Sequence, residues 1–298
     1  SLSSFPDETT SRADLILPIH TPLESWGDHE PRAGVRGLMQ PVMQPVFDTQ
    51  HVGDLLLEVA RALGEEVSAA FPQATFDAYL RDVWQALQQE VAPESEFQTF
   101  WADALRRGGL WQEPEPQAVE LSPEVRQIEF EPPPLDPRER NERPFVLIPY
   151  PSLHHYDGRG ANKPWLQEIP DPMMKASWDS WAEMHPDTCR RINAEAGQLV
   201  AIESAQGTLE VSILVNEHLR PDVIAIPHRQ GHTRYGRYAT QRGVNPIALL
   251  GAAAEDRSGG VCWVSTRVSA TPRAVRRRVA TTQTDSRQLG RGITQAVS

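Results

Sequence analysis

The chain changes its hydrophobic period partway along. In the first half apolar residues recur at helical spacing, and after residue 144 they alternate or run together as in strands. In "GDLLLEVARALG" Leu55, Leu56, Val59, Ala60 and Leu63 form one stripe, and Gly64 stands where a C-cap is needed. "FDAYLRDVWQALQQEV" places Phe76, Tyr79, Leu80, Val83, Trp84, Leu87 and Val91 at helical intervals. "SEFQTFWADALRRGG" offers Ser95 as N-cap and Gly108 and Gly109 as the stop. Ahead of these helices, "ADLILP" reads as a short strand closed by Pro18. The following "HTPLESWGDHEPRAGVRGLMQPVMQPV" reads as a long loop rich in Gly, Pro and Gln, and long ordered loops are usually functional.

The second half reads as β. "FVLIPY" (Phe145–Tyr150) is a strand, and "QLVAIESAQGTLEVSILV" is two strands around a turn at Ala205–Gly207. In the second of these Leu209, Val211, Ile213 and Val215 share the buried face. "DVIAIP" and "VCWVSTRV" supply two more, and short strands with turn chemistry between them argue for a closed barrel. Residues 1–111 are therefore expected as one region with helices, 112–143 as an acidic Pro-rich connector, 144–270 as a β-barrel, and 271–298, with "RAVRRRV", as a basic tail or linker. The fold class expected is α+β.

Composition narrows the function. A net charge of −11 argues against nucleic acid as a partner, because phosphate binding needs surplus cations. Cys189 and Cys262 are far apart in no CxxC pattern, so the chain holds no iron–sulfur cluster of its own. No apolar run is long enough for a membrane span, and no signal peptide is legible. The chain opens on Ser, close to a strand-like segment, and reads as part of something longer.

The densest chemistry lies in Gly231–Leu250, "GHTRYGRYATQRGVNPIALL". Its Arg, Tyr, His and Gly could stack on nucleic acid, bind a metal, or hold a large anionic cofactor. Net charge disfavours the first. The pair His154–His155 lacks a third ligand at suitable spacing, and His228 and His232 lie four apart in a Gly-rich stretch that is no helix. Asn245, before Pro246, is either a site residue or a turn former.

Taken in order, "DETTSRADLILPIHTPLESWGD", "HHYDGRGANKPWLQE", "MHPDTCRRINAEAGQLVAIESAQGTLEVSILVNEHLRPDVIAIPHRQGH", "GVNPIALL", "EDRSGG" and "VCWVSTRV" resemble the C-terminal part of molybdopterin oxidoreductases of the dimethyl sulfoxide reductase superfamily. The resemblance implies a double-psi β-barrel, preceded by the end of an α/β cofactor domain, that covers molybdopterin guanine dinucleotide. Carried across by position, it makes His154, His155, Tyr156, Gly231, His232, Asn245, Asp14 and Glu24 cofactor-binding, with no catalytic residue and no metal ligand in the chain. "ESWGD" and "GHTRYGRYATQRGVNP" look most like subunits of quinone-linked complexes, such as polysulfide-reductase-like enzymes and alternative complex III. In the latter the subunit keeps the fold without molybdenum, and "HEPRAGVRG" replaces the family's usual N-x-E-G-R, so a scaffold with an empty pocket stays as the alternative. Implied partners are the remaining N-terminal part or sister iron–sulfur and membrane subunits, at a periplasmic or membrane-associated location. The chain is not expected to catalyse redox chemistry alone, and His154, His155, Gly231, His232 and Asn245 are expected on one concave face.

Overall fold

Six strands from the second half of the chain pair edge to edge until the sheet closes on itself. The structure, a computed structural model, describes residues 1–113, 115–116, 118–127, 137–156, 158–228, 230–254 and 258–282. They fall into two units, one of Ser1–Phe5 with Arg12–Glu129 and one of Pro6–Ser11 with Phe130–Ser298.

In the first unit β1 (Gly27–Arg32) and β2 (Val35–Met39) form a hairpin, and β3 (Gly109–Trp111) pairs antiparallel with β2. Gly34 turns it at φ +77°, where an added Cβ would sit 2.7 Å from the Gln112 carbonyl oxygen. The stretch expected as a long loop is thus partly sheet. Its first strand, "GDHEPR", is largely exposed, so no apolar alternation marks it. Three long helices follow as expected: α1 (Val52–Ala62), α2 (Phe76–Val91) and α3 (Phe97–Arg107). Gly108 ends α3 in the left-handed region, but the N-cap position is Glu96 rather than Ser95. Trp84 and Trp101 pack with Leu38 and Ala104, and Trp84 Nε1 donates to Asp28 Oδ2 at 3.1 Å.

The buried face of α1 differs from the expected stripe. Leu55, Leu57 and Ala60 are buried, whereas Leu56, Val59 and Leu63 are exposed. Gly53 decides the rotation: an added Cβ would lie 2.2 Å from the Phe76 ring, so only glycine lets α1 approach α2 there. Asp54 Oδ1 fixes the approach by accepting the Phe76 amide at 2.6 Å. Of "ADLILP" only Leu17–Pro18 is strand, paired in parallel with Leu2–Ser3, while Leu15 and Ile16 are exposed.

In the second unit the barrel strands are β4 (Phe145–Pro151), β5 (Trp181–Met184), β6 (Gln198–Glu203), β7 (Thr208–Val215), β8 (Val223–His228) and β9 (Arg267–Arg276). Their order is β7-β5-β8-β4-β9-β6, closed by the β6–β7 hairpin. The β7/β5 and β8/β4 pairs are parallel and the others antiparallel. Alternating residues fill the interior, including Phe145 and Leu147 of β4, Val200 and Ile202 of β6, Val211 and Ile213 of β7, and Ile224 and Ile226 of β8. Each such side chain contributes about 1.5–3 kcal/mol by leaving water. A buried Glu183 ties the wall together: Tyr150, Trp181 and Asn216 all donate to its carboxyl oxygens.

Two expectations about the end of the barrel need correction. "VCWVSTRV" is strand only from Arg267, and Val261 makes just an isolated bridge to Ala254. The strand then runs to Arg276, so "RAVR" belongs to the barrel rather than to a linker starting at residue 271. Its outer face is polar, as in the Arg273 bond to Glu210 at 2.8 Å, which hides the strand from a hydrophobic pattern. Within the connector, Pro123–Gln127 forms a 3-10 turn and Pro137–Glu142 a short helix. Residues 128–136 and 283–298 lie outside the described residues.

The α1 assignment yields a paired test. Leu57→Ala should cost about 2–5 kcal/mol of stability. Leu56→Ala, one residue away, should stay within about 0.5 kcal/mol, as surface substitutions do. Chemical denaturation of both variants checks this, and equal losses would restore the stripe expected from spacing.

Candidate functional site

Strand direction gathers three loops at one barrel end. β4 and β8 run parallel and finish there, and β5, antiparallel to β8, begins there. The loops are 152–168, 174–180 and 230–247, and they border a cleft lined by His155, Gln167, Trp178, Ser180, His228 and Gln230.

His155 is only 6% exposed and forms the floor. Gln230 Nε2 lies 3.2 Å from His155 Nε2 and 2.8 Å from Gln167 Oε1, while Gln167 Nε2 donates to the Ala161 carbonyl at 2.7 Å. An amide N–H can only donate, so His155 Nε2 accepts and Nδ1 carries the ring proton. A backbone hydrogen bond at Gly160 favours the protonated ring. Burial, with the neighbouring His154 second, pushes the His155 pKa down to about 4, so the ring is neutral at pH 7. His154 is half-buried beside it. Tyr156 is exposed in the left-handed region at φ +53°, with the Arg159 guanidinium 5.5 Å from its ring centroid.

The 230–247 loop is held by a carboxylate that the site assignment from sequence missed. Glu8 Oε1 accepts the amides of Thr233 at 2.6 Å and Arg234 at 2.9 Å, and Oε2 lies 3.3 Å from His232 Nδ1. Burial opposes its ionisation, but donors from Arg234, His232 and Thr233 prevail and hold its pKa at about 2. His232 Nε2 is buried without a partner. Gly231, at φ +83°, meets the chain itself: a Cβ there would lie 2.4 Å from the Asn245 amide nitrogen. Asn245 Oδ1 caps the turn Pro246–Leu249 by accepting the Ile247 amide at 3.1 Å, so turn formation is one of its roles. Arg237 lies 4.7 Å from the Tyr238 ring and Arg242 5.5 Å from the Trp178 ring, which makes this rim basic on an acidic chain.

His154, His155, Tyr156, Gly231, His232 and Asn245 therefore lie on loops of one barrel end. Asp14 and Glu24 belong to the first unit. Asp14 is exposed. Glu24 takes the Thr21 amide and hydroxyl and the Val46 amide, which hold its pKa below the usual carboxylate range. Its oxygens thus serve a local cap. Sequence reasoning missed Glu8, Gln167, Gln230 and Ser180 as site residues. Glu8 had a signal, since it stands in the "DETT" block, but nothing in spacing links it to a loop more than 200 residues away. Asp157, Arg229 and 255–257, parts of the quoted motifs, lie outside the described residues. Among the described residues no three His, Cys, Asp or Glu side chains cluster as a metal site would.

A six-stranded closed barrel with this loop set defines the class of domain. Residues 145–262 match the family described as Molydopterin dinucleotide binding domain. This match and the relatives that follow support the molybdopterin oxidoreductase superfamily, C-terminal part, for this stretch. One relative is the menaquinone reductase molybdopterin-binding-like subunit of Nitratidesulfovibrio vulgaris, 24% identical over 90% of this chain and 37% of its own length. The arsenate respiratory reductase molybdopterin-containing subunit of Shewanella sp. strain ANA-3 is 33% identical over 36% of this chain and 13% of its own. The assimilatory nitrate reductase catalytic subunit of Bacillus subtilis is 25% identical over 76% and 33%. Acetylene hydratase from Pelobacter acetylenicus has the same fold, with a TM-score of 0.53 at 17% identity, covering 86% of this chain and 38% of that one. The chain thus spans little more than a third of the length of these proteins at most.

The depressed His155 pKa sets a pH dependence. The unfolded ring protonates near 6.5 and the folded ring near 4, so between those values the unfolded state binds more protons. Stability should therefore fall as pH drops from about 6.5 to about 4. Denaturant midpoints across that window should flatten in His155→Gln relative to the parent; an unchanged slope would show that the ring is not held neutral.

Proposed function

We propose that the chain is the cofactor-covering portion of a molybdopterin-type oxidoreductase subunit working in a quinone-linked electron-transfer complex. The observation that carries this is the barrel end, where the buried His232 Nε2 lacks a partner, with Arg234 exposed two residues on and Arg237 and Arg242 on the same loop. Such a set fits a long ligand, planar at its ends and doubly negative in the middle, as molybdopterin guanine dinucleotide is. Arg234, Arg237 and Arg242 would meet pyrophosphate oxygens, His155 and His232 would supply ring N–H or lone pairs, and the Asn245 amide would serve a base edge. Bound in the whole subunit, the cofactor supplies the electron-transfer chemistry. This chain's own part is to bind, orient and shield it. Glu8, fully ionised at neutral pH, keeps the loop amides of Thr233 and Arg234 turned inward to itself, so the arginine side chains rather than these amides face the anion.

The menaquinone reductase relative, matching 90% of this chain, supports the quinone link. Partners under this reading are the rest of the subunit and sister iron–sulfur and membrane subunits, at a periplasmic or membrane-associated location in a bacterium. Among the described residues no helix is long and apolar enough to cross a membrane. One observation favours the scaffold alternative: Gly231 and Gly243 face the protein's own atoms rather than open space. Their close approaches serve loop packing and do not require a ligand.

The test is to purify the complete assembly and assay released pterin, guanine nucleotide and molybdenum. Pterin with guanine nucleotide, lost in an Arg234→Glu/Arg242→Glu variant that still assembles, is the expected result. A quinone-active assembly without pterin would leave the scaffold reading in its place.

A further inference from the structure

We infer that residues 277–282 are a strap that sets the wall of the cleft, with Arg277 and Asp179 as positioning residues for its contents. After β9 the chain does not leave the barrel. The Arg277 amide donates to the Gly197 carbonyl at 2.8 Å, and the next residue lies over Gly197, where Arg278 Cγ would be 3.3 Å from an added Cβ. Ala280–Thr281 then pairs antiparallel with Ala176–Ser177, and the Thr282 amide donates to the Lys175 carbonyl at 3.0 Å. Arg277 reaches Asp179 at 2.9 Å.

The segment so held is the 174–180 wall of the cleft. Trp178 sits there at φ +69°, a conformation that costs a bulky residue about 1–3 kcal/mol and persists only when its surroundings impose it. The Arg242 guanidinium covers its ring, and its amide donates to the Gln167 carbonyl at 3.0 Å. From Ser180 the constraint passes to the next loop. Ser180 Oγ accepts the Val244 amide at 3.0 Å, beside Gly243, whose missing Cβ would lie 2.4 Å from that oxygen. Strap, wall and the Asn245 turn therefore form one mechanical series. Magnitudes rank its links: the ion pair is half exposed and worth at most about 1 kcal/mol, so the paired backbone carries more than the charges do.

The test uses the full chain in three variants: Thr282→Pro, which removes the amide bonded to Lys175; Arg277→Asp; and Arg277→Asp with Asp179→Arg. Amide exchange read by mass spectrometry should quicken roughly tenfold in 175–181 and 242–246 for Thr282→Pro, as for a lost hydrogen bond of about 1.4 kcal/mol. It should rise less for Arg277→Asp and recover in the double swap, with β8 amides unchanged throughout. Unchanged exchange in 175–181, or equal acceleration in β8, would overturn the strap. The ligand arm rests on the cofactor reading and uses guanosine diphosphate as probe: binding should weaken in Thr282→Pro and recover in the double swap relative to Arg277→Asp. If the parent does not bind the nucleotide, the cofactor reading suffers and the exchange arm alone decides the strap. Binding by the parent that is equal in all variants, despite faster exchange, would overturn the positioning role.

Discussion

Closure of the barrel by β9 is the constraint on which the site depends. Arg267 and Val268 pair with β4, while Ser269–Pro272 pair with β6, so this one strand joins the two edges that the other five would leave open. An open edge of this kind is a template for association with other chains. Closure removes it and also fixes where each strand ends. The loops of the cleft meet because β4, β8 and β5 are locked in register, as in the pairing of Ile224 with both Leu147 and Met184.

Rim and core are stabilised by different means. Inside the barrel, apolar side chains gain by leaving water, and the buried Glu183 carboxylate is engaged by neutral donors. At the rim the Arg277–Asp179 ion pair is half exposed and weak, so geometry there is set by backbone contacts that only glycine permits and by amide hydrogen bonds to Glu8. The arginine heads of Arg237 and Arg242 lie on Tyr238 and Trp178, where cation–π contact holds them.

Elements with an unambiguous period were legible in the sequence. α2 spans the stretch its spacing marks, and the β6–β7 hairpin turns where Ala205–Gly207 lie. α1 was legible as a helix but not in its rotation, because "LLLEVARAL" is apolar on more than one face and the choice was made by Gly53 against Phe76. The β1–β2 hairpin and the outer part of β9 escaped because their exposed faces are charged and carry no alternation. At the barrel end, His155 and His232 are singled out by the ordered resemblance. Glu8 and Gln230 act through contacts across 225 and 75 residues of chain, which no local pattern encodes.

This division explains how a binding rim can vary on a constant barrel. None of the interior residues named above contributes its side chain to the cleft, so a change at the rim leaves the core packing in place. The loops are also held by the protein's own bonds: Glu8 restrains 232–234, Ser180 restrains 244, and Asn245 closes its own turn. A rim ordered in advance spends little conformational entropy on binding, which favours a ligand retained for the life of the protein. It also means that the rim would keep its shape without a ligand. The same physics that preorganises a cofactor site thus allows a member of this fold to lose its cofactor and survive as a scaffold.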